Sequence, residues 1–588
     1  MTPRRRRPTR VAAAFLAAAL LAPVAGCVSL PESGPVVETD ESRGTPVTSG
    51  VKYDPLPPLP DASRSEIVKG FLDAMTAVPI QTTSAAEFLT QEARASWRPE
   101  RETITYGDRA PALDTGSVVR VRMLDGSNRF DARGAWRGSL SGAALDLRFG
   151  LEMEGGQWRI ADPPDALIVP ESWFESRYRR LSISFFDPSA QILVPEPVFV
   201  ADDDALATRL VEGLLDGPGP ALAPSSRSFF PPGARLGDLS VPVSADGVAE
   251  VSLSDVGQQP PASQRLMMVQ LASTLRQVVG ITAVRVTVDG ELLQLPGSDE
   301  GRFPVNLGAE FDPAVPAASA VVFGIRDGQL VSGIPDDLDP VGGVLGTGEV
   351  PLRSAAVNLD GSTAAAVTTS DAVLVGPLNG GLTEMRGILD RSADLLEPAW
   401  DFTDRIWLID RRSDGARVLY YENDRLRTLE VPGVTGEAIR SFLVSRDGSR
   451  LVAVVAGRTG DELVVSRIRH RAEGDVRSAT PAQTILQTAP EAQTIKDIAW
   501  RSPTSVAVLT GVAGELWEVR SIAVDGAPTS IESIANLNGP VRSMAGSPVP
   551  DQGLLVLAPD AALDLSRPIA REIELGDERR LRSLGYVG

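Results

Sequence analysis

Two residue types that carry out much of protein chemistry are almost absent from this chain. Among its 588 residues there is one cysteine, Cys27, and one histidine, His470. A single cysteine excludes an internal disulfide and cysteine-rich metal sites, and a single histidine excludes zinc sites built on two histidines. A Ser–His triad would have His470 as its only base. His470 lies in Arg467-Ile-Arg-His-Arg471, which predicts the exposed end of a strand, so we expect no catalysis by it.

Carboxylates are the remaining groups that could do acid–base or metal chemistry. Asp401 and Asp404 would form an acid–base pair if strand geometry turned both toward one cavity. The acidic runs at 202–204 and 336–339 offer the oxygen ligands that calcium prefers. Asp204 is better explained as the N-cap of a helix, and the second run as a solvated turn. We therefore predict no catalytic residue, no metal and no cofactor.

Sequence motifs of common enzymes are also missing. The chain has no Gly-x-Ser-x-Gly elbow, no phosphate-binding P-loop and no His-Glu-x-x-His motif. The glycine cluster at 343–348 lacks the strand-to-helix context that a phosphate loop needs. It is more typical of a loop that connects two repeated units.

The most distinctive position is Cys27, because of the residues that precede it. Five arginines within the first ten residues are followed by an uncharged apolar run at 11–25. This run is short for a membrane span, which needs about 20 residues. It ends in Val24-Ala25-Gly26-Cys27, which resembles the lipobox of bacterial lipoproteins. The resemblance implies that 1–26 is a lipoprotein signal peptide, and that lipid on Cys27 holds the protein at the extracytoplasmic face of the cell membrane.

Length and charge limit the other possibilities. At about 150 residues per domain, the chain should form three or four units. It has 77 acidic and 57 basic residues and a formal net charge of −20. Removal of the five arginines of the leader would make the charge still more negative. Such a surface repels nucleic acids and anionic lipid headgroups, so we expect no nucleic-acid partner.

The region after the leader predicts a tether followed by an α+β domain. Residues 27–62 are rich in Pro, Ser, Gly and Thr, a composition that cannot bury a core and suits an extended spacer. Within 63–178, Ser63 and Glu66 have the spacing of a helical capping box, and a second helix is expected at 85–97. Short strands follow. Two helices before a strand meander are typical of NTF2-like or cystatin-like folds.

Residues 179–300 predict a second α+β domain. Asp204 is expected to cap one helix and Ser263 another, and the segments 239–243 and 248–253 should form a hairpin around Asp246-Gly247. The order of these elements resembles the GerMN domain of envelope and spore proteins. The likeness rests on the sequences at 205–218, 230–236, 248–253 and 270–290. No enzymatic residue follows from this resemblance.

Residues 310–588 predict an all-β propeller. Short alternating strands replace helical periodicity, and the turn pairs Asp360-Gly361 and Asp447-Gly448 begin a weak repeat. Asp404 lies 44 residues after Asp360 and 43 before Asp447. A period near 43 matches a four-stranded blade of about 40–45 residues. Five or six blades fit, and the pattern resembles the TolB-type propeller.

The lipobox, the α+β domain, the GerMN-like domain and the propeller, in this order, resemble the LpqB family of actinobacterial lipoproteins. The start Cys27-Val-Ser-Leu-Pro31 and the scarcity of lysine agree with it. The resemblance implies a non-enzymatic accessory partner of the extracytoplasmic part of the MtrB sensor histidine kinase, with effects on the cell envelope and division. The alternative is an envelope protein that binds a small ligand or a cell-wall fragment, or a hydrolase, using the propeller.

Overall fold

A computed structural model describes residues 53–124, 126–296, 301–314, 321–489, 494–528, 533–549, 552–567, 570–575 and 581–588. The predicted signal peptide, Cys27 and most of the predicted tether lie outside these ranges. The end of that tether contacts the rest of the protein, because Tyr53 and Val78 exchange two backbone hydrogen bonds of 3.1 and 2.9 Å. Within the described ranges, no helix is both long and apolar enough to cross a membrane.

The N-terminal domain packs three short helices against two four-stranded sheets. The helices are α1 (Arg64–Ala74), α2 (Thr83–Ala86) and α3 (Gln91–Ser96). The strands are β1 (Glu102–Tyr106), β2 (Leu113–Asp114), β3 (Val118–Arg122), β4 (Asn128–Asp131), β5 (Trp136–Ser139), β6 (Asp146–Glu154), β7 (Gln157–Asp162) and β8 (Leu167–Pro170). The sheet orders are β5-β4-β1-β8 and β2-β3-β6-β7. A last helix, α4 (Glu171–Arg177), leads out of this domain.

Local sequence signals correctly predicted where α1 begins, but they did not predict the extent of the second helix. The Ser63 side chain accepts from the Glu66 backbone, and the Glu66 carboxylate accepts from the Ser63 backbone, which confirms the capping box. The predicted helix at 85–97 is wrong in extent. Two short helices, α2 and α3, replace it, and Thr90 begins the second one by accepting a hydrogen bond from the Ala93 backbone.

The central domain joins a hairpin to a mixed sheet through two buried helices. The strands are β9 (Tyr178–Phe186), β10 (Leu193–Ala201), β11 (Arg235–Leu236), β12 (Val248–Ser254), β13 (Ala283–Val288), β14 (Glu291–Leu292) and β15 (Arg302–Pro304). The helices are α5 (Leu206–Leu215) and α6 (Pro261–Leu275). β12 and β13 are parallel and are connected through α6, and the sheet order is β11-β12-β13-β14 with β15 also on β13.

Three predicted features of the central domain are wrong. Neither Asp204 nor Ser263 caps a helix, because α5 begins after Ala205 and α6 after Pro260. The segment 239–243 is not a strand. Leu236 already pairs with β12, and Pro242 has no N–H to donate to a ladder, so this segment keeps only an isolated bridge from Val243.

The propeller consists of six sheets in the described part of the chain. The first contains β16 (Val322–Arg326), β17 (Gln329–Ile334) and β18 (Asp337–Pro340), and a short helix α7 (Val344–Thr347) follows it. The second contains β19 (Leu352–Val357), β20 (Thr363–Thr368), β21 (Val373–Pro377) and β22 (Arg386–Leu389). The third contains β23 (Ala399–Trp400), β24 (Ile406–Arg412), β25 (Gly415–Glu422) and β26 (Arg425–Leu429).

The remaining three sheets complete the ring. The fourth contains β27 (Ile439–Val444), β28 (Arg450–Val455), β29 (Glu462–His470), β30 (Val476–Ala479) and β31 (Gln483–Gln487). The fifth contains β32 (Ile495–Ser502), β33 (Ser505–Ala513), β34 (Leu516–Ala523) and β35 (Ser533–Asn538). The sixth contains β36 (Ser543–Ala545), β37 (Leu555–Leu557), β38 (Ala561–Asp564) and β39 (Arg571–Glu574).

The C-terminal strand closes the propeller. β40 (Leu581–Gly585) pairs with β16 and becomes the innermost strand of the first sheet, whose order is β18-β17-β16-β40. Closure of this kind removes the unpaired sheet edges that an open array would expose. The repeated Asp-Gly pairs lie in the turns from the first to the second strand of their sheets, where Gly361 and Gly448 have φ values of 76° and 64°. Glycine adopts this left-handed conformation at little cost.

Candidate functional site

The sequence predicts that His470 is exposed, and this prediction is wrong. It ends β29, but it is half-buried beside the Arg405 guanidinium, whose Nη1 lies 3.4 Å from His470 Nε2. Arginine can only donate, so Nε2 must accept and the ring is neutral. Burial first, and the charge of Arg405 second, lower the pKa of His470 below its usual 6.5. The sequence could not show this contact, because the two residues are 65 positions apart.

Asp401 and Asp404 do not form the hypothesised acid–base pair. Asp401 is fully buried, and its Oδ2 accepts from Arg405 Nη1 at 2.8 Å and from Trp407 Nε1 at 3.0 Å. Its Oδ1 accepts from the backbone and hydroxyl of Thr403. Asp404 is exposed and accepts from Asn358 Nδ2 at 2.9 Å. The two carboxylates therefore stabilise different contacts, and Asp401 has no free oxygen for proton transfer.

The two acidic runs considered as calcium sites have structural roles: the first forms ion pairs, and the second is part of a strand. Asp203 binds Arg209 at 2.7 Å and accepts from the Ala205 backbone, and Asp202 is 3.5 Å from Arg179. The run at 336–339 is not a solvated turn; most of it belongs to β18, with Leu338 buried between exposed aspartates. In the part of the chain that the structure describes, no group of three or more His, Cys, Asp or Glu side chains is arranged to hold a metal.

The glycine cluster at 343–348 connects the first two sheets of the propeller. It contains the short helix α7, and the backbone of Val344 donates to the Gly380 carbonyl at 3.0 Å. A Cβ on Gly343 would lie 2.2 Å from that same carbonyl oxygen, so the glycine is required by close backbone packing. This cluster therefore serves packing between neighbouring sheets.

Buried arginines join the three domains. Arg133 of the N-terminal domain binds both carboxylate oxygens of Glu196 in β10, at 2.7 and 3.1 Å. Arg450 of the propeller donates to the carbonyl of the neighbouring Pro195 at 2.6 Å, while its other Nη binds Asp447 at 3.0 Å. These charge-assisted contacts, made by side chains with little exposure, fix the orientation of the domains. The three described domains are therefore held in fixed positions relative to one another.

A further arginine near this junction, Arg467, has a buried nitrogen, Nη1, without a hydrogen-bond partner among the described residues. Burial first, and the charge of Arg450 second, lower the pKa of Arg467 to about 10, so it stays charged at neutral pH. The charges of Glu196 and Asp447 act in the opposite direction and raise the pKa of Arg467.

The innermost strands of the propeller enclose a cavity of about 250 Å³. In each of the six sheets, the innermost strand or the segment just before it carries one oxygen-bearing side chain at the corresponding position of the repeat, and we call this set the channel ring. Its members are Ser354, Glu397, Ser441, Asp497, Ser543 and Ser583. All except Ser354 line the cavity. The sequence analysis did not identify this ring, although the two repeats that begin at Ser354 and Ser441 have a serine at the same repeat position.

The two carboxylates of the channel ring lie in an environment that disfavours charge. Burial first, and Asp497 second, raise the pKa of Glu397 to about 8. Burial raises the pKa of Asp497 to about 6, although its oxygens accept from the backbones of Ile498 and Met544 at 2.9 and 2.8 Å. Both carboxyl groups line the cavity; the Glu397 side chain is exposed there and Asp497 is half-buried.

Family models match three successive parts of the chain. Residues 57–175 match the N-terminal domain of lipoprotein LpqB, and residues 328–562 match the LpqB beta-propeller domain. These two LpqB models together span more than half of the chain. The chain belongs to the LpqB family. Residues 182–294, between the two, match the Germane model for sporulation and spore germination.

Relatives of the LpqB family align over almost the whole chain. The lipoprotein LpqB of Thermobifida fusca is 26% identical, with 92% of this chain and 94% of the relative covered. That of Streptomyces avermitilis is 28% identical, with 96% of both chains covered. Among solved structures, TolB from Acinetobacter baumannii is 12% identical, with 60% of this chain and 99% of that chain covered and a TM-score of 0.31. Structural likeness at this level identifies neither a function nor a ligand.

A pH experiment tests the environment of His470. The unfolded state binds a proton below about pH 6.5, whereas the folded state resists it, so protonation of His470 favours unfolding as the pH falls. We expect His470→Gln to lose less thermal stability than the unchanged protein between about pH 7.5 and pH 5.5. Paired melting curves cancel the titration of carboxylates common to both proteins. Parallel pH profiles would contradict the assigned contact with Arg405.

Proposed function

We propose that this protein is a lipoprotein, anchored through acyl chains on Cys27 to the extracytoplasmic face of the cell membrane. There it acts as a non-enzymatic regulatory partner of the extracytoplasmic domain of an MtrB-type sensor histidine kinase, and so affects the cell envelope and division. The observation that carries the proposal is the pair of LpqB models at both ends of the folded region, in a chain whose leader ends in Val24-Ala25-Gly26-Cys27. No cofactor or metal takes part.

The packing of the domains supports a binding role. A membrane receptor is best contacted by a body whose surfaces keep fixed positions, because ordering of mobile parts on binding costs free energy. The Arg133–Glu196 and Arg450–Pro195 contacts hold the domains together, and Arg180 adds a 3.2 Å ion pair to Asp525 of the propeller. The N-terminal domain, for which we keep the NTF2-like or cystatin-like fold as a proposal, would present a second surface beside the propeller.

Hydrolysis is the weaker candidate. Its proposed pair, Asp401 and Asp404, is committed to other contacts, and His470 accepts from Arg405. Small-ligand binding by the propeller has more support, since five of the six residues of the channel ring line a cavity. It is compatible with a regulatory partner, because a ligand can change the affinity of a second site.

Direct binding tests the proposal. The full chain, extracted from membranes with detergent and immobilised, is exposed to the purified extracytoplasmic domain of the MtrB-type kinase of the same organism. We expect saturable binding, and none to the external domain of an unrelated sensor kinase. Absence of binding, combined with turnover of a cell-wall fragment, would overturn the proposal in favour of a hydrolase.

A further inference from the structure

The channel ring contains two carboxyl groups and no basic side chain. Glu397 makes no hydrogen bond or ion pair among the described residues, and Asp497 is bound only by two backbone N–H groups. Arg440 also lines the cavity, but its Nε binds Asp461 outside the ring at 3.0 Å. Two neighbouring carboxyl groups that line one cavity can together serve as counter-ions for a bound cation. Among the residues that the structure describes, no basic side chain forms an ion pair with either Glu397 or Asp497.

Hydroxyl groups of the channel ring are similarly unsatisfied. The Oγ atoms of Ser354, Ser441 and Ser543 are buried and have no hydrogen-bond partner in the described part of the chain. Orphaned buried hydroxyls are uncommon in proteins, and each one indicates a missing water, ion or ligand group. Ser441 and Ser543 line the same cavity as the two carboxylates. The hydroxyls are thus a second, independent sign that something polar occupies this space.

The walls of the cavity indicate an organic cation. Phe323, Trp500 and Tyr586 line it together with the channel ring, and aromatic rings attract ammonium groups through their faces. A volume of about 250 Å³ exceeds by several times the roughly 30 Å³ share of one water molecule. A bare metal ion would leave most of this space empty, whereas a small molecule would fill it.

We propose that the propeller channel binds a small organic molecule carrying a protonated amine, with Glu397 and Asp497 as counter-ions and the ring serines as hydrogen-bond partners. Binding needs no covalent step. The ammonium ion would favour the ionised form of Glu397, so a proton leaves the protein as the ligand enters. This site does not depend on the proposed kinase partner.

Calorimetry with 1,5-diaminopentane tests the ligand class. The detergent-extracted full chain is titrated near neutral pH in two buffers of different ionisation heat, and calcium chloride is titrated separately. We expect saturable diamine binding with proton release, and a loss of affinity of at least about tenfold in Glu397→Gln. Glu349→Gln, which removes an exposed carboxylate outside the channel, should bind as the unchanged protein does. Absence of diamine binding, calcium binding alone, or binding unaffected by Glu397→Gln would each overturn the proposal.

Heat stability without ligand gives an independent readout. Because the folded state holds a proton on Glu397 that the unfolded state releases, its contribution to stability is lost as the pH rises toward about 8. Glu397→Gln should therefore raise the melting temperature at about pH 9 and change it little at about pH 4. Asp497, Arg440, Lys496 and Tyr586 face or adjoin the same space and remain in both proteins. A lower melting temperature for the variant at about pH 9 would assign Glu397 a structural role and overturn the proposal.

Discussion

Replacement of Arg405 by methionine is expected to lower the free energy of unfolding of the propeller by about 3–5 kcal/mol. The Arg405 side chain is 1% exposed and binds the carboxylate of Asp401, which is fully buried, and that of Glu422. It also donates to the Gly474 carbonyl at 3.1 Å. Methionine keeps most of the volume but leaves the Asp401 charge buried without its cation. Trp407, which donates to Asp401, provides a fluorescence signal for denaturant unfolding.

The matched control is Arg386→Met. Arg386 pairs with Asp424 on the surface, where the two side chains are 56% and 73% exposed, so its loss should cost less than about 1 kcal/mol. Equal and small effects of the two substitutions would contradict a structural role for the Arg405 cluster. Asp401 would then again be a candidate for acid–base chemistry.

The second large effect is expected for Cys27→Ala. Without the sulfur no thioether to lipid can form, and peptidases that require the lipidated cysteine would leave the leader in place. We expect complete loss of labelled palmitate from the protein and a precursor larger than the unchanged product on a gel.

Ser29→Ala is the control for that experiment. It changes a small residue of the predicted mature N-terminus and should leave both labelling and processing unchanged. Continued palmitate incorporation into the Cys27→Ala protein would contradict lipidation at this position, because no other cysteine is available in the chain.

Features encoded by neighbouring residues could be predicted from the sequence, and features formed by distant ones could not. The Ser63–Glu66 capping box and the turns at Gly361 and Gly448 depend on residues a few positions apart. The environment of His470 depends on Arg405, and the strand expected at 239–243 was displaced because β11 occupies part of the same edge of β12. Both outcomes are set by tertiary packing, which periodicity does not report.

The channel ring lies between these two cases. Each of its residues precedes a recognisable repeat sequence, such as Glu397 before Pro-Ala-Trp400 and Asp497 before Ile-Ala-Trp500. Alignment of the repeats would have placed Glu397 and Asp497 at one level with the serines. That they share a cavity depends on closure by β40, which follows β16 by more than 250 residues. The contacts that join the propeller to Pro195 likewise involve residues remote in sequence.

The intact mass of the unchanged protein, extracted from membranes, tests the lipid anchor most directly. We predict a chain that begins at Cys27 and carries the added mass of a diacylglyceryl group, with or without a further acyl chain on its amine. A mass that corresponds to a bare Cys27 thiol, or to a chain that retains residues 1–26, would contradict membrane anchoring through this residue and with it the proposed place of action.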